Sequence, residues 1–559
     1  MAEYISVSST KSRRFYGIVR SKSLGNELLG RLGFIRFKPD EKQEITVLCQ
    51  ITSVDRRNTI HEDPSFGPVI AEQGSIPYLS GRGDYEEAVA KPIAQQINGE
   101  PTSLRANPPS GTAIVSLDDE SVSAIGNPQN IFTSFSSVES QFLRYGGKLT
   151  GESIKVPFVC KSFNPAHENG WGEARHAGFF GRQGSGKTHA AKIMLALNLL
   201  ATPTMGAFIP DSKNDFVKPG PNDLDLRKLL EANGRSVKVI KIDDLKLEKV
   251  EHFRDFLLME KVPKQMISTT PDKHDLLLSL MLSDFSDDKD NPNLIVAGSN
   301  SVSFQKFIES FNDQIPLCFA SESEKKREER LQITLALQNK SKKNLEKKFD
   351  SILKKFTTGT SLNDVIDGVL QKGEIYFLEL EAGSYDNSTN VFILEVLYKR
   401  FRSRVSQLFY MGNYSNGIVY VDEANRFIPQ TPDNDQKDLA KELIQGIKTT
   451  RQYGLAWWFA DQRPAAISKD VFTQLGTYFF GSGMTAAADK DNMESIIGKE
   501  GLQIYEYVIT ASKRPFVATG QFVGVGSEGA VTVPIDFFPS WKDLVHENNE
   551  GLEAHLIAE

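Results

Sequence analysis

Cysteine is scarce in this chain of 559 residues, which contains only Cys49, Cys160 and Cys318. Three widely separated thiols make neither a disulfide framework nor a zinc motif, so disulfide-rich secreted domains and zinc-finger folds are excluded. This usage is typical of a reducing compartment, and we expect the protein to be cytoplasmic.

Long apolar runs are lacking as well. No stretch reaches the roughly 20 apolar residues that a membrane-spanning helix needs. The first residues, MAEYISVSSTKSRR, lack the apolar core of a signal peptide. The sequence therefore predicts no membrane partner. The net charge of −7 argues against a surface that coats nucleic acid non-specifically, but it leaves room for a locally basic channel.

The chain is too long for one hydrophobic core, so about two to four domains are expected. Residues 1–165 contain short apolar stretches between turn signals, such as Phe15–Val19 and Gly33–Phe37. This texture predicts a small β-barrel or β-sandwich domain at the N-terminus, and we assign it as barrel-like. Within it, residues 81–106 are more polar and are expected to form an excursion from the barrel.

From residue 166 strands and helices alternate, which predicts an α/β fold with a parallel sheet. We assign residues 166–244 and 371–535 to the two parts of this core. Residues 245–370 lack strand patterns and predict a helical insertion, and residues 536–559 form a C-terminal tail. The expected core strands are His176–Phe180, Gly206–Pro210, Ser236–Ile242, Glu374–Glu381, Ile418–Val421, Leu455–Ala460 and Thr477–Gly481.

The most informative segment is the pattern G-x-x-x-x-G-K-T between a predicted strand and a helical run. Glycines in such a loop let backbone N–H groups surround phosphate oxygens, and the following helix presents its positive N-terminus. Lys187 is expected on the β- and γ-phosphates of ATP, and the Thr188 hydroxyl on Mg²⁺. The predicted nucleotide-binding residues are Gly181, Arg182, Gln183, Gly184, Ser185, Gly186, Lys187, Thr188 and His189.

A second motif places two carboxylates at the end of a buried strand. Ile418–Val421 is apolar without alternation and is followed by Asp422 and Glu423. Asp422 is expected to hold the Mg²⁺ shell, and Glu423 to polarise the attacking water. Together with the phosphate loop, this pair predicts an ATPase with a RecA-like core.

The strand Leu455–Ala460 carries polar residues at both ends. Gln462 follows the strand and has the donor and acceptor needed to sense the γ-phosphate or hold water. Arg451 precedes the strand and therefore lies at the opposite edge of the sheet. It is poorly placed for its own nucleotide but suited to a neighbouring subunit's. The alternative is an ordinary arginine at a helix end.

These motifs together resemble the HerA family within the FtsK–HerA class of P-loop ATPases. The matching pieces are Arg175-His176, Asp211-Ser212-Lys213, Val421-Asp422-Glu423-Ala424-Asn425-Arg426-Phe427, Arg451-x-x-Gly454 and Gln462-Arg463-Pro464. They cover less than half of the chain. At the position of Asn425 the family commonly has histidine, which puts any protonatable role there in doubt.

The resemblance implies a hexameric ring that hydrolyses ATP and translocates or unwinds double-stranded DNA. It also implies a partner nuclease or NAD-consuming effector, in DNA end processing or antiviral defence, and a catalytic role for Arg175 near the subunit boundary. Two alternatives stay open. In the first, the ring is a nucleotide-gated scaffold that activates an effector without pumping DNA. In the second, it is an ATPase that moves proteins or peptides.

Weaker signals concern DNA and the core. Lys213 and Lys218 follow the second core strand and are candidates for a basic channel, with plain loop lysines as the alternative. The charged segment 325–348 contains Glu328 as well as lysines and is expected to be mainly a solvated helix face, with a partner surface or a DNA-binding helix as the alternatives. Trp457, Trp458 and His176 are expected in the core.

Overall fold

A computed structural model describes residues 3–11, 13–19, 28–76, 84–105, 107–116, 138–167, 169–221, 223–288, 292–380, 388–432, 437–511, 514–525 and 531–548. Within these ranges the strands form a seven-stranded sheet, an eleven-stranded sheet and a two-stranded ribbon. None of the helices in this part of the chain combines the length and the apolar content that crossing a bilayer requires.

The N-terminal region is a closed antiparallel β-barrel. Its strands are β1 (Glu3–Lys11), β2 (Arg14–Val19), β3 (Leu32–Phe37), β4 (Ile45–Asn58), β5 (Asp84–Ile97), β6 (Glu100–Thr102) and β7 (Ala113–Ser116). They follow the order β2-β1-β7-β3-β4-β5, and the pairing of β2 with β5 closes the ring, while β6 extends β5 as a hairpin. Inward side chains such as Ile5, Phe15 and Val47 fill the interior. The predicted N-terminal barrel is confirmed.

One expectation for this region is wrong. Residues 84–97 form the 14-residue strand β5, which pairs with both β4 and β2, and are not an excursion from the barrel. The inward positions are occupied by small residues such as Ala88 and Ala90. The alternate positions carry charge, and Glu87 forms an ion pair with Arg57 at 3.0 Å. A strand with alanine on its buried face and ion pairs on the other gives only a weak hydrophobic alternation.

The second sheet holds the parallel core. Its strands are β8 (Leu143–Leu149), β9 (Lys155–Val159), β10 (Ala177–Phe180), β11 (Gly206–Asp211), β12 (Val237–Lys241), β15 (Ile375–Glu379), β16 (Gly417–Asp422), β17 (Leu455–Asp461), β18 (Thr477–Gly481), β19 (Phe516–Gly520) and β20 (Thr532–Phe537). The order is β12-β15-β11-β16-β17-β10-β18-β19-β20-β8-β9. The strands from β12 to β18 in this order are mutually parallel, and the remaining ones are added antiparallel.

All seven strands expected for the parallel core are present within a residue or two of the predicted bounds. The antiparallel extension was not predicted. Residues 143–159, which we grouped with the N-terminal domain, pair through β8 with β20 of the second sheet. The division of the chain into five regions stays a prediction.

Helices cover the sheet and build the insertion. They are α1 (Thr59–Glu62), α2 (Gly67–Gln73), α3 (Lys187–Ala201), α4 (Leu226–Ala232), α5 (Val250–Met259), α6 (Val262–Met266), α7 (Pro271–Leu282), α8 (Phe304–Asp313), α9 (Ile315–Cys318), α10 (Glu324–Thr357), α11 (Leu362–Gln371), α12 (Ser388–Tyr410), α13 (Lys437–Thr450), α14 (Lys469–Phe472), α15 (Ala487–Ala511, broken at Gly498) and α16 (Trp541–Glu547).

The predicted helical insertion is confirmed, while its bounds at residues 245 and 370 stay a prediction. Apart from the short ribbon of β13 (Leu245–Lys246) and β14 (Thr360–Ser361), its described residues between β12 and β15 are helical or irregular. The 34-residue helix α10 packs on α5 through Phe349 and Phe356, whose rings lie 5.8 and 5.2 Å from the ring of Phe253. The lysine-rich residues near its middle are largely exposed.

Because the core strands run parallel, their ends define two edges with different chemistry. The carboxyl edge carries the loops that follow β10, β11, β16 and β17, and the amino edge carries the segments that precede them. Trp457 and Trp458 of β17 are buried between the two, as predicted, with their indole N–H groups bonded to Thr450 and the Arg175 carbonyl. Ligands of open parallel sheets bind at the carboxyl edge.

Candidate nucleotide-binding site

The loop between β10 and α3 has the backbone of a phosphate-binding loop. Gly184 and Gly186 have φ of 80° and 95°, in the left-handed region that glycine tolerates best. A Cβ at Gly181 would lie 2.6 Å from the Ser185 hydroxyl oxygen, so a side chain there would clash. The Ser185 hydroxyl is itself buried with no hydrogen-bond partner among the described residues. The loop therefore provides close backbone approach and an unsatisfied donor, which fits a phosphate group.

Lys187 and Thr188 begin the helix that follows this loop. The Lys187 ammonium donates to the carbonyl oxygens of Gly181 at 2.6 Å and Arg182 at 3.1 Å. Burial lowers the pKa of Lys187, and the nearby carboxylate of Asp422 acts in the opposite direction. The Thr188 hydroxyl lies 3.5 Å from a carboxylate oxygen of Asp215. Both side chains line the cavity in front of the loop, as the motif predicts.

The two predicted acidic residues lie at the carboxyl edge, two strands from the phosphate loop. Asp422 ends β16, and burial raises the pKa of its carboxyl. Glu423 has φ of 50°, a left-handed conformation that is uncommon outside glycine. The Lys213 ammonium lies 3.3 Å from an oxygen of Asp422 and 2.9 Å from Oε1 of Glu423.

The second oxygen of Glu423 also has a cationic partner. Arg426 Nε lies 2.6 Å from Glu423 Oε2, so each oxygen of this carboxylate faces a positive charge. Burial acts to raise the pKa of Glu423, but the contacts with Lys213 and Arg426 outweigh it and hold the pKa below its usual range. In this arrangement Glu423 is a weak base, because both of its oxygens are neutralised.

These elements enclose one cavity of about 340 Å³. Its lining residues are Gln183, Gly184, Gly186, Lys187, Thr188, His189, Lys192, Lys213, Asp215, Asp223, Leu224, Asp422 and Arg514. His189 lines it with a ring nitrogen bonded to the Phe538 carbonyl at 2.8 Å. Other predicted nucleotide-binding residues, Gly181, Arg182 and Ser185, lie in the loop just behind this wall.

The cavity fits a nucleotide with a divalent cation. In the described part of the chain no group of three or more His, Cys, Asp and Glu side chains is placed to hold a metal ion by itself. Mg²⁺ in nucleotide sites takes only one or two protein ligands and completes its shell with phosphates and water. Thr188 and Asp422 line the same cavity and would be such ligands. The bound ion would neutralise charge on the β- and γ-phosphates.

Gln462 follows β17, the strand between β10 and β16, and its side chain is exposed at the carboxyl edge. The preceding Asp461 is buried, and its carboxylate accepts hydrogen bonds from the backbone N–H of Asn425 at 2.7 Å and Arg463 at 3.2 Å. Asp461 therefore ties the loop after Glu423 to the end of β17. Asn425 contacts Asp461 through its backbone N–H, and its side chain takes no part in this hydrogen bond.

The predicted arginines lie together at the amino edge. Arg451 Nη2 lies 2.6 Å and Arg175 Nη1 2.9 Å from the same oxygen of Glu173. Arg175 is buried and stacks on Trp171, with its guanidinium carbon 4.4 Å from the ring centroid. Arg451 is more accessible, with 38% of its side chain exposed. The structure thus separates both arginines from the phosphate loop of their own chain.

His176 lies beneath these arginines and is a core residue, as predicted. Its Nδ1 accepts from the Trp457 backbone N–H at 3.0 Å, and its Nε2 lies 3.0 Å from the Ile447 carbonyl. The ring is therefore neutral, with the proton on Nε2. Burial lowers the pKa of His176 to about 4.

Lys213 and Lys218, the candidates for a DNA channel, lie in different surroundings. Lys213 contacts Asp422 and Glu423 and lines the cavity, which the sequence did not predict. Lys218 is 65% exposed and forms an ion pair with Glu379 at the end of β15. A DNA contact by either lysine stays a prediction.

Sequence reasoning missed several residues of the site. Asp215 and Arg514 line the cavity, Asp461 fixes the loop after β16, and Glu173 binds both arginines. Asp215 and Asp461 each lie within a few residues of the end of a core strand, which is a signal that a search for polar residues after every parallel strand would have found. Arg514 and Glu173 lie in segments next to strands, and the pairing of those strands with others far along the chain decides which residues surround them.

No protein-family model matches the sequence, and no curated protein matches it. Among solved structures, the bacterial conjugative coupling protein TrwBdeltaN70 matches 73% of this chain and 92% of its own at 9% identity, with a TM-score of 0.39. VirB4 of Thermoanaerobacter pseudethanolicus matches 71% and 96% at 10% identity, with a TM-score of 0.40. The genome packaging NTPase B204 from Sulfolobus turreted icosahedral virus 2, in complex with AMPPCP, matches 65% and 98% at 10% identity, with a TM-score of 0.30.

With TM-scores of 0.40 and below, these likenesses carry no argument about function. The P-loop ATPase fold is assigned from this chain's own features. These are the parallel strand order, the phosphate loop between β10 and α3, and the carboxylates that end β16, the second strand from β10.

Proposed function

We propose that the protein is an ATPase that hydrolyses Mg–ATP at the carboxyl edge of its parallel sheet. One observation carries the proposal: the loop after β10 and the carboxylate at the end of β16 line one cavity, together with Lys187 and Thr188. In-line attack on a γ-phosphate needs phosphate positioning, charge neutralisation and a held water, and these residue types supply them. Lys187 would hold the phosphates, Glu423 would polarise the water, and Gln462 would orient it.

The finer proposal is a HerA-type motor, a homo-hexamer that translocates or unwinds double-stranded DNA. Ring assembly is supported by the amino edge, where Arg451 and Arg175 share one carboxylate and are remote from their own phosphate loop. Next to them, Tyr410 and Met411 are 80% and 61% exposed, and Phe409 packs on Tyr453 at 4.4 Å. The arginines suit contact with a nucleotide bound at the carboxyl edge of a second copy, and the exposed apolar side chains beside them suit burial in the same interface.

The same proposal includes a partner nuclease or NAD-consuming effector and a role in DNA end processing or antiviral defence, which rest on the resemblance to HerA proteins. It also includes a cytoplasmic location, which rests on the few and widely separated cysteines. The scaffold alternative remains its main rival. One observation favours the scaffold: both oxygens of Glu423 are held by cations, which makes it a weak base and would slow hydrolysis. A scaffold needs nucleotide binding, whereas a motor needs turnover that DNA accelerates.

The test compares the wild type with Lys187→Ala and Glu423→Gln in ATP binding and hydrolysis. Lys187→Ala should weaken ATP binding, because it removes the ammonium group that would contact the phosphates. Glu423→Gln should preserve binding and lower turnover by about 10²–10⁴-fold, the usual contribution of a positioned base. Duplex DNA should stimulate the wild type more than a peptide does. Near wild-type turnover in Glu423→Gln would remove Glu423 from the reaction, and stimulation by peptide alone would favour a protein-moving ATPase.

A further inference from the structure

The turn that follows β11 is held in shape by a buried carboxylate. Asp211 accepts hydrogen bonds from the backbone N–H groups of Asp215 at 3.0 Å, Phe216 at 2.9 Å and Val217 at 2.7 Å. Three bonds to one side chain fix the end of the turn at residues 215–217. Lys213 lies at the tip of the turn, which these bonds do not hold.

Lys213 uses that position to contact both acidic residues of the site. Its ammonium is 3.3 Å from Asp422 and 2.9 Å from Glu423, and it is half-exposed. The Asp422 oxygen at 3.3 Å belongs to the carboxylate that would bind Mg²⁺. A divalent ion and an ammonium group cannot both lie close to one carboxylate without strong mutual repulsion.

The same turn contains polar atoms that its present arrangement leaves unsatisfied. Ser212 Oγ and Asn214 Oδ1 are buried without a hydrogen-bond partner among the described residues. Asn214 also has a left-handed backbone, with φ of 61°. Buried polar atoms without partners are costly, so a second arrangement of the tip of this turn is accessible at modest free-energy cost.

We propose that Lys213 competes with the magnesium ion of Mg–ATP for Asp422, and thereby sets the magnesium concentration at which nucleotide binds. Lys213 leaves the carboxylates when the ion arrives, which also frees one oxygen of Glu423 for the attacking water. Lys213 is thus a positioning residue for the two acids. The inference rests on the proposed ATPase function.

The experiment titrates magnesium chloride, from an EDTA-buffered start, into full-length protein with a fluorescent non-hydrolysable ATP analogue. The measured quantity is the magnesium concentration at half-maximal binding. Lys213→Met should lower this midpoint about tenfold, the effect of one partly screened charge contact at this distance. Lys213→Arg keeps the charge and should stay near the wild type. Lys218→Met removes a lysine of the same segment that pairs with Glu379 instead, and should leave the midpoint unchanged.

A double-mutant cycle separates competition from a general charge effect. In an Asp422→Asn background, Lys213→Met should shift the midpoint less than twofold, because the shared carboxylate is gone. An unchanged or higher midpoint in Lys213→Met, or an equal shift in both backgrounds, overturns the proposal while leaving the ATPase function intact. Failure of the wild type to bind the analogue at any magnesium concentration overturns both.

Discussion

The two edges of the parallel sheet carry ion clusters of different composition. At the carboxyl edge Lys213 is shared by Asp422 and Glu423, and Arg426 pairs with the second oxygen of Glu423, so two cations balance two carboxylates. At the amino edge one carboxylate, Glu173, is shared by two arginines, Arg451 and Arg175. The amino-edge cluster therefore has an excess of positive charge, and a bound nucleotide would add negative charge to the carboxyl edge. The positive excess at the amino edge is what the nucleotide of a second copy would neutralise.

This difference bears on how a complete active site is made. A head-to-tail contact between unlike edges is a heterologous interface, and such interfaces close into rings when the rotation allows. Each nucleotide would then lie between the phosphate loop of one subunit and the arginines of the next. Arg451 is the better candidate to cross the boundary, because it is more exposed than Arg175, which is buried against Trp171.

The largest loss of ATP turnover is expected for Arg451→Ala. Loss of an arginine that acts on a neighbour's phosphates costs on the order of 10³-fold or more in turnover. Nucleotide binding and hexamer formation should change little, because phosphate positioning remains with the loop of the other subunit. Steady-state hydrolysis, analogue binding and mass measurement of the assembly check the three expectations. A matched control is Arg463→Ala, whose partner at 2.9 Å is the buried Asp489 of the same chain.

A second prediction concerns His176, which supports the amino edge from below. Its pKa is about 4 in the folded protein because of burial, against 6.5 as the ordinary value. The unfolded chain therefore binds a proton that the folded protein excludes. The contribution of the neutral ring to the free energy of unfolding is complete above pH 6.5 and is lost as pH falls towards 4. At pH 5.5 the cost relative to pH 8 is about 1.4 kcal/mol.

Denaturant unfolding at the two pH values measures this cost. His176→Gln should be less stable at pH 8, because it disturbs the bonds to Ile447 and Trp457, but its additional loss at pH 5.5 should be smaller by about 1.4 kcal/mol. The same pH dependence in both proteins would show that His176 is protonated in the folded state. It would also contradict the buried neutral ring described above.

The smallest effect is expected at Lys218, which projects from the carboxyl edge beyond the acidic cluster. If DNA passes this surface, Lys218→Ala should lower duplex affinity a few-fold and flatten the dependence of log affinity on log salt by about one for each subunit in contact. Lys228→Ala, on α4, removes another exposed lysine and serves as the control. An unchanged salt slope in Lys218→Ala would place the DNA contacts elsewhere.

Much of this arrangement could be predicted from the sequence because it is local. The phosphate loop, the apolar strand before Asp422 and the position of Arg451 ahead of β17 follow from residue types and spacing along the chain. Parallel strands then dictate which ends meet, so opposite edges for Arg451 and Gln462 could be inferred without coordinates.

The remaining features depend on contacts between distant segments. The sequence predicts Lys213 as a candidate for a basic channel, because nothing in its local sequence reveals that the turn after β11 leans towards β16. The pairing of β19 with β18 brings Arg514, which lies just before β19, to the cavity. In the same way, the pairing of β8 with β20 joins the end of the N-terminal region to the second sheet. The strand β5 was hidden by alanines at its buried positions. Such pairings carry little local signal, since packing with partners far along the chain selects them.

The central claim is that the active site is shared between two subunits, and subunit mixing tests it most directly. The Arg451→Ala and Glu423→Gln proteins are each expected to be nearly inactive alone. They are combined under conditions that exchange subunits, and the mixed assemblies are verified by mass. Some boundaries then pair an intact Glu423 with an intact Arg451 from the neighbour, so partial ATP hydrolysis should return. If mixed assemblies form and hydrolysis stays at the level of the single variants, Arg451 acts within its own chain or only structurally, and the shared site is contradicted.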